Sequence, residues 1–179
     1  MSAALRTFVR RMKHSPIQNY GGIPGLTSYL VGGPSEHGLI RLMECSREHH
    51  ESIIPHSHRF DFHCVVLAGQ VRNIVWERAG RGDAYQESTL IYGGKPGVYD
   101  MRPEGTGNWT TKGTVYGVDE EYEMCAEQVH SIFFSRGASV LFFEGEPRNE
   151  SSIILQPVVD GEVVPTFRVP PWAFKRGAA

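Results

Sequence analysis

Residues 53–71 read IIPHSHRFDFHCVVLAGQV, and the fold turns on how that run is parsed. His56, His58 and His63 fall within eight residues. The stretch FHCVVLA has the alternation of a strand, with His63, Val65 and Leu67 on one face and Cys64, Val66 and Ala68 on the other. Gly69-Gln70 then interrupts the apolar run before VRNIVWE, which predicts a hairpin about that dipeptide.

On either side of this stretch the chain keeps the same texture. LIRLMEC (39–45) and ESIIPHSH upstream read as short strands, as do STLIYG, TVYGV, YEMCA, VHSIFFS, SVLFFEG, SIILQPVV and EVVPTFRV downstream. Between Glu77 and Lys112 the chain is otherwise rich in glycine and turn signals. Twenty glycines and eleven prolines suit many short strands joined by turns better than a helix bundle. The length, 179 residues, is that of one well-filled core. The expectation is a single all-β domain, a sandwich or barrel, over residues 38–168. A basic N-terminal segment and surface arm (1–37) precedes it, and a proline-rich C-terminal arm (169–179) follows. Arms of this kind suit strand exchange in a homodimer.

Charge and cysteine content narrow the function classes. A net charge of −2 and a pI near 6.4 give no field for nucleic acid or an acidic membrane surface. No apolar run approaches bilayer length. Three widely spaced cysteines, Cys45, Cys64 and Cys125, predict free thiols in a reducing compartment, hence a cytoplasmic protein. Arg6, Arg10, Arg11 and Lys13, with no acid before Glu36, predict a basic surface helix; a mitochondrial transit peptide is the alternative.

The histidines carry the chemistry. His56 and His58, at i and i+2, project to one face of a strand with α-carbons about 7 Å apart. Two imidazoles so placed hold a divalent ion if others arrive from neighbouring strands, and His63 and His130 are the candidates. The competing reading makes them exposed residues that cap free backbone groups where a strand begins. Neutral imidazoles leave the ion's charge uncompensated, which favours a small anionic ligand in its open positions. Arg41, which faces with Leu39 and Met43, and Arg72 are candidates to clamp a carboxylate, with surface ion pairs as the alternative for each. Glu123 and Glu127 either orient a ligand histidine or stay solvated, and Cys64 reads as a small core residue.

Taken together, PHSHRFDFH, Gly69 and a strand-opening His130 resemble the two motifs of the cupin superfamily over roughly residues 39–146. The resemblance implies a jelly-roll barrel, a double-stranded β-helix. It places His56 and His58 as the paired histidines, His63 where a glutamate is usual, Gly69 at the hairpin and His130 in the second motif. A histidine in the acid's place, followed by Cys64, is similar to the three-histidine thiol dioxygenases. The chain departs from them in a longer His58–His63 segment and in having no histidine after His130 and no tyrosine after Tyr122. The expectation is therefore a metal-dependent cupin enzyme, an Fe2+ oxygenase acting on a small anionic molecule, with Zn2+, Ni2+ and Mn2+ as other ions the site suits. A non-catalytic cupin that senses or sequesters a small ligand is the alternative.

Overall fold

The computed structural model describes residues 14–18, 20, 23–35, 38–48, 54–92 and 99–163, together with Thr7 and Arg11, which are helical. The rest of the expected N-terminal helix, the end of the EVVPTFRV strand and the C-terminal arm lie outside the described residues. The fold is all-β, as expected. One antiparallel sheet has β1 (His14–Gln18), β2 (Leu26–Ser35), β3 (Gly38–Cys45), β4 (Phe60–Ala68), β7 (Glu121–Met124) and β9 (Ser139–Pro147), in the spatial order β1-β2-β3-β9-β4-β7. The other has β5 (Val71–Tyr92), β6 (Tyr99–Tyr116), β10 (Ser151–Val159) and β11 (Glu162–Val163) in the order β11-β10-β5-β6, with β8 (Val129–Phe134) paired to β5.

The main core lies between the sheets. Met43, Phe62, Cys64, Val66, Val140 and Phe142 from the first sheet meet Val71 and Phe134 from the second, with Val75 and Ile132 packed against them. Period-two alternation explains the selection: β9 contributes Val140 and Phe142, β4 contributes Phe62, Cys64 and Val66, and the intervening residues face outward. Two smaller clusters cover the outer faces, one of Leu42, Leu67 and Leu141 on the first sheet and one of Trp76, Tyr85, Trp109, Val129 and Leu155 on the second. Two antiparallel sheets closed over one core make the jelly-roll type of sandwich that the cupin resemblance implies.

Three features differ from the sequence reading. The strands flanking Gly69-Gln70 are not a hairpin: β4 pairs with β7 and β9, whereas β5 pairs with β6, β8 and β10. The turn instead carries the chain from one sheet to the other. Second, the glycine-rich stretch after Glu77 is not mostly loop. β5 and β6 form one long ribbon, in which Arg78 and Asp83 both oppose Trp109 so that residues 79–82 bulge outward. TVYGV contributes only the end of β6. Third, NYGGIPGLTSYLVGGPSEHG, whose turn signals suit a surface arm or an added edge strand, contributes β2, an internal strand between β1 and β3, and Ile23 and Leu26 enter the core. The first sheet therefore extends across residue 38.

Candidate metal centre

The segment 54–58 forms no regular strand, only isolated bridges from His56 to His130 and to Ile154, yet its backbone is held from both sides. His56 N–H donates to the His130 carbonyl (3.0 Å) and His130 N–H returns the bond to the His56 carbonyl (2.9 Å). On the other edge Ser57 N–H donates to Ile153 (2.8 Å), and Leu155 N–H donates to Pro55 (2.9 Å). Ile153 N–H also donates to the Ser57 hydroxyl, and His58 N–H donates to Ala126. The histidine segment is thus wedged between β8 and β10. Cross-strand partners project to the same side, and so do residues two apart, so the rings of His56, His58 and His130 converge.

Their ring centroids are 4.8 Å (His56–His58), 5.2 Å (His56–His130) and 5.0 Å (His58–His130) apart. One nitrogen from each lies within 4.8 Å of the others, and the Nε2 atoms of His58 and His130 are 2.9 Å apart. Partners behind two of the rings fix which nitrogen faces this point. His130 Nδ1 is 2.7 Å from Asn73 Oδ1, and His56 Nδ1 is 2.9 Å from the Ile54 carbonyl. Both partners are acceptors, so both Nδ1 atoms carry the proton and both Nε2 atoms keep their lone pairs. Asn73 is itself oriented, because its Nδ2 donates to Met124 Sδ (3.2 Å). With a lone pair on His130 Nε2, the proton between the two close nitrogens belongs to His58, and only His58 has to change tautomer when an ion binds.

Burial keeps all three rings neutral. It lowers His58 to about 3, with His56 adding a smaller effect. It lowers His130 well below the ordinary histidine value, again helped by His56 and His58, and it lowers His56 against the Ile54 hydrogen bond, which raises it. Neutral imidazole is the form that binds metal. Three convergent nitrogen donors, two with acceptors behind them, fit a divalent transition ion.

The site opens into a cavity of about 520 Å³ between the sheets. Its walls are largely aromatic and aliphatic, with Phe60, Phe62 and Phe142 beside the histidines and Ile132, Phe134 and Val140 beyond them. Polar groups are few. Arg41 lines the cavity and pairs with Glu144 (Nε–Oε2 3.4 Å), and both are largely buried. Cys64 and Tyr122 face each other across the β4–β7 ladder and stay protonated; burial pushes Cys64 up to about 12 and Tyr122 well above the usual phenol value.

Other candidates fall elsewhere. His63 does not join the cluster. Phe62 and Cys64 take the inner face of β4, so His63 points outward, where its ring lies 3.3 Å from Glu121 and 3.4 Å from Glu123 and packs on Phe143. Glu123, with Glu121, is therefore an outward partner of His63, and Glu127 is exposed on a turn beside Asn149. Arg72 lies on the face of β5 opposite Val71 and Asn73, away from the cavity, with its guanidinium over Gly113. Sequence reasoning missed Asn73 and Glu144. A signal existed for each: Asn73 is a polar residue on the inward face of β5 between Val71 and Val75, and Glu144 continues the inward series Val140, Phe142. The carbonyl of Ile54 leaves no such mark.

No protein-family model matches the sequence, and no curated protein does. Solved structures do resemble it. An RmlC-like cupin from Shewanella frigidimarina aligns over 76% of this chain and 86% of its own, at 13% identity and a TM-score of 0.44. An acetylacetone dioxygenase from Acinetobacter johnsonii aligns over 86% and 78% (13%, 0.40), and Drosophila melanogaster CENP-C, solved bound to CAL1, over 79% and 92% (10%, 0.44). Cupin-fold proteins are thus among the structures this chain resembles. Likeness of this order concerns overall form and carries over no chemistry.

Proposed function

We propose that the chain is a metal-dependent cupin enzyme acting on a small anionic molecule, with Fe2+ the ion and oxygenation the reaction class. The reading rests on one observation: three neutral histidines converge, His130 buried and His56 and His58 partly so, with two Nε2 lone pairs aimed at one point by acceptors on the opposite nitrogens. His56, His58 and His130 would hold the ion, which would supply Lewis acidity and, for iron, electrons for reaction with O₂. Three protein ligands leave room in an octahedron for more than one exogenous molecule, which is why oxygenation ranks ahead of simple hydrolysis. The residues around the ion bind, orient and exclude water: Phe60, Phe62 and Phe142 make the wall apolar, and Arg41 offers a guanidinium to a carboxylate.

A second reading, a cupin that binds a small ligand without turning it over, draws on Cys64 and Tyr122. Both line the cavity and both are held protonated by burial, so neither serves as a base near neutral pH.

Elemental analysis of freshly purified protein tests the metal. Near-stoichiometric iron is the expected result, and His58→Ala should bind iron at least 100-fold more weakly while melting cooperatively. A folded His58→Ala variant with undiminished metal content would remove the basis of the proposal. Zinc or nickel in place of iron would turn the reading toward Lewis-acid chemistry.

A further inference from the structure

Glu144 is the one carboxylate that lines the cavity among the described residues, and it sits beside a guanidinium rather than beside the histidines. Arg41 on β3 and Glu144 on β9 project from adjacent strands of the first sheet. Arg41 lies opposite Phe142, one inward position before Glu144, and its guanidinium carbon lies 5.5 Å from the centre of the Tyr20 ring. The contact with Glu144 is a single long one through Nε, not a two-pronged fork, and such a pair is readily exchanged for a better-aligned carboxylate. The surrounding walls are the faces and edges of Phe60, Phe62 and Phe142, which suit a flat apolar body.

We propose that Arg41 and Glu144 form a displaceable pair: a small monocarboxylate with an apolar, ring-sized body takes the guanidinium of Arg41, and Glu144, released, accepts a proton from solvent. The inference takes from the proposed function only that the cavity receives a small anion. The only bond formed is the O–H of Glu144, its proton drawn from solvent; the ligand carboxylate replaces the Glu144 carboxylate on Arg41.

The groups facing Glu144 explain why it takes up a proton. Arg41 comes from β3, and Arg59 from the segment ahead of β4, where its Nε already donates to the Asn149 carbonyl (3.0 Å). From β4 the cross-strand neighbour is Phe62, and Phe60 lies beyond it; neither carries charge. Even with both arginines in place, burial holds Glu144 above the usual carboxylate range. Loss of Arg41 removes the larger of the two opposing charges, and a largely buried carboxylate without that partner is neutralised. Ligand binding is then linked to proton uptake, and carboxylates bind more tightly as the pH falls, by up to tenfold per unit where the linkage is complete.

The probe is benzoate, which stays ionised from pH 6 to pH 8. Calorimetric titration in buffers of different ionisation enthalpy, on metal-free and iron-loaded protein, reads both affinity and protons taken up. The expected result is uptake approaching one proton per benzoate at pH 8 in both forms, with weaker binding at pH 8 than at pH 6. Glu144→Gln should take up none, bind benzoate at pH 8 at least as tightly as the native chain at pH 6, and lose the pH dependence. Arg41→Gln should bind at least tenfold more weakly. Binding to the native chain with no proton uptake would overturn the inference, as would binding indifferent to Arg41 or no binding at all, and those measurements on the native protein need no variant to fold. Benzoate bound only in the iron-loaded form and independently of Arg41 would overturn it while leaving the metal reading intact. Proton-linked binding in a protein that holds no metal would do the reverse.

Discussion

Two histidines show how far a residue's role depends on what stands behind it. His130 is buried and has an asparagine oxygen 2.7 Å from its rear nitrogen, whereas His63 is about one-third exposed and has carboxylates on both sides of its ring. An acceptor behind a ligand histidine fixes its tautomer and ring angle, and losing one typically costs 10- to 100-fold in metal affinity. Asn73→Leu should therefore weaken metal binding by about that factor, although Asn73 itself touches no ion. His63→Ala should leave metal stoichiometry unchanged and shift stability by less than about 1 kcal/mol, as exposed ion pairs do. Both are read by metal titration alongside urea unfolding. A His63→Ala variant that loses its metal would mean that β4 presents the other face to the cavity. Of the four histidines picked out in the sequence, three converge, and the fourth is excluded by strand alternation. Nearness to the His56–His58 pair and the motif resemblance put His63 with the ligands, against the alternation that already set it on the face opposite Cys64. Phe62, buried beside His58 and His130, was the residue that could have decided the matter, since an aromatic at that position draws 62, 64 and 66 inward and sends 63 out.

At the scale of elements, local alternation told which stretches are strands but not which strands are neighbours. SVLFFEG and VHSIFFS stand in the structure nearly as the sequence suggested, because each holds a short, largely buried apolar run bounded by turn residues. The relation of β4 to β5 was misjudged because a glycine followed by a polar residue serves equally for a tight hairpin and for a corner between sheets. Long-range packing selected the corner. Gly69 has φ of 67°, and a Cβ there would lie 2.8 Å from both the Ala138 Cα and the Ser135 Oγ. Gln70 N–H donates to that same Ser135 hydroxyl, and its carbonyl accepts from Ser135 N–H. The corner is thus clamped against the β8–β9 turn. Gly69→Ala has to meet both a left-handed backbone and a backbone clash, so it should destabilise the protein by about 2 kcal/mol or more. Urea unfolding measures this. A loss below about 0.5 kcal/mol would show that the corner relaxes without the clamp. The glycine-rich ribbon of β5 and β6 escaped the sequence reading for a related reason. Glycines at 80, 82, 105 and 107 look like loop, and only the pairing partner reveals that the strands continue past a bulge.

For the molecule as a whole, three neutral histidines between two sheets tie stability to pH. Burial lowers the folded-state pKa of each, to about 3 for His58, whereas unfolded histidine titrates near about 6.5. As the pH falls below about 6.5 the unfolded chain takes up protons that the folded chain refuses. The contribution of each histidine is therefore complete above that pH and is lost on acidification, by up to about 1.4 kcal/mol per pH unit, until the folded pKa is reached. Carboxylates titrate over part of the same range, so the native chain alone does not isolate the effect. The difference from His58→Gln does. Metal-free His58→Gln should show a shallower fall in stability between pH 6.5 and 4.5 than the metal-free native chain, and parallel curves would mean that the ring is not held neutral. An ion that binds the neutral rings adds a second dependence of the same sign. Saturating metal stabilises the folded state alone, and that increment holds while the folded rings stay neutral and shrinks only as protons claim the ligands of the folded chain. The rise in melting temperature on adding metal should thus hold from pH 8 down to about pH 5 and shrink only toward about pH 3, and it should be much smaller at every pH in His58→Ala. A rise in that variant equal to the native one would place the ion elsewhere, and the convergence of His56, His58 and His130 would then be a packing arrangement of the core rather than a metal centre.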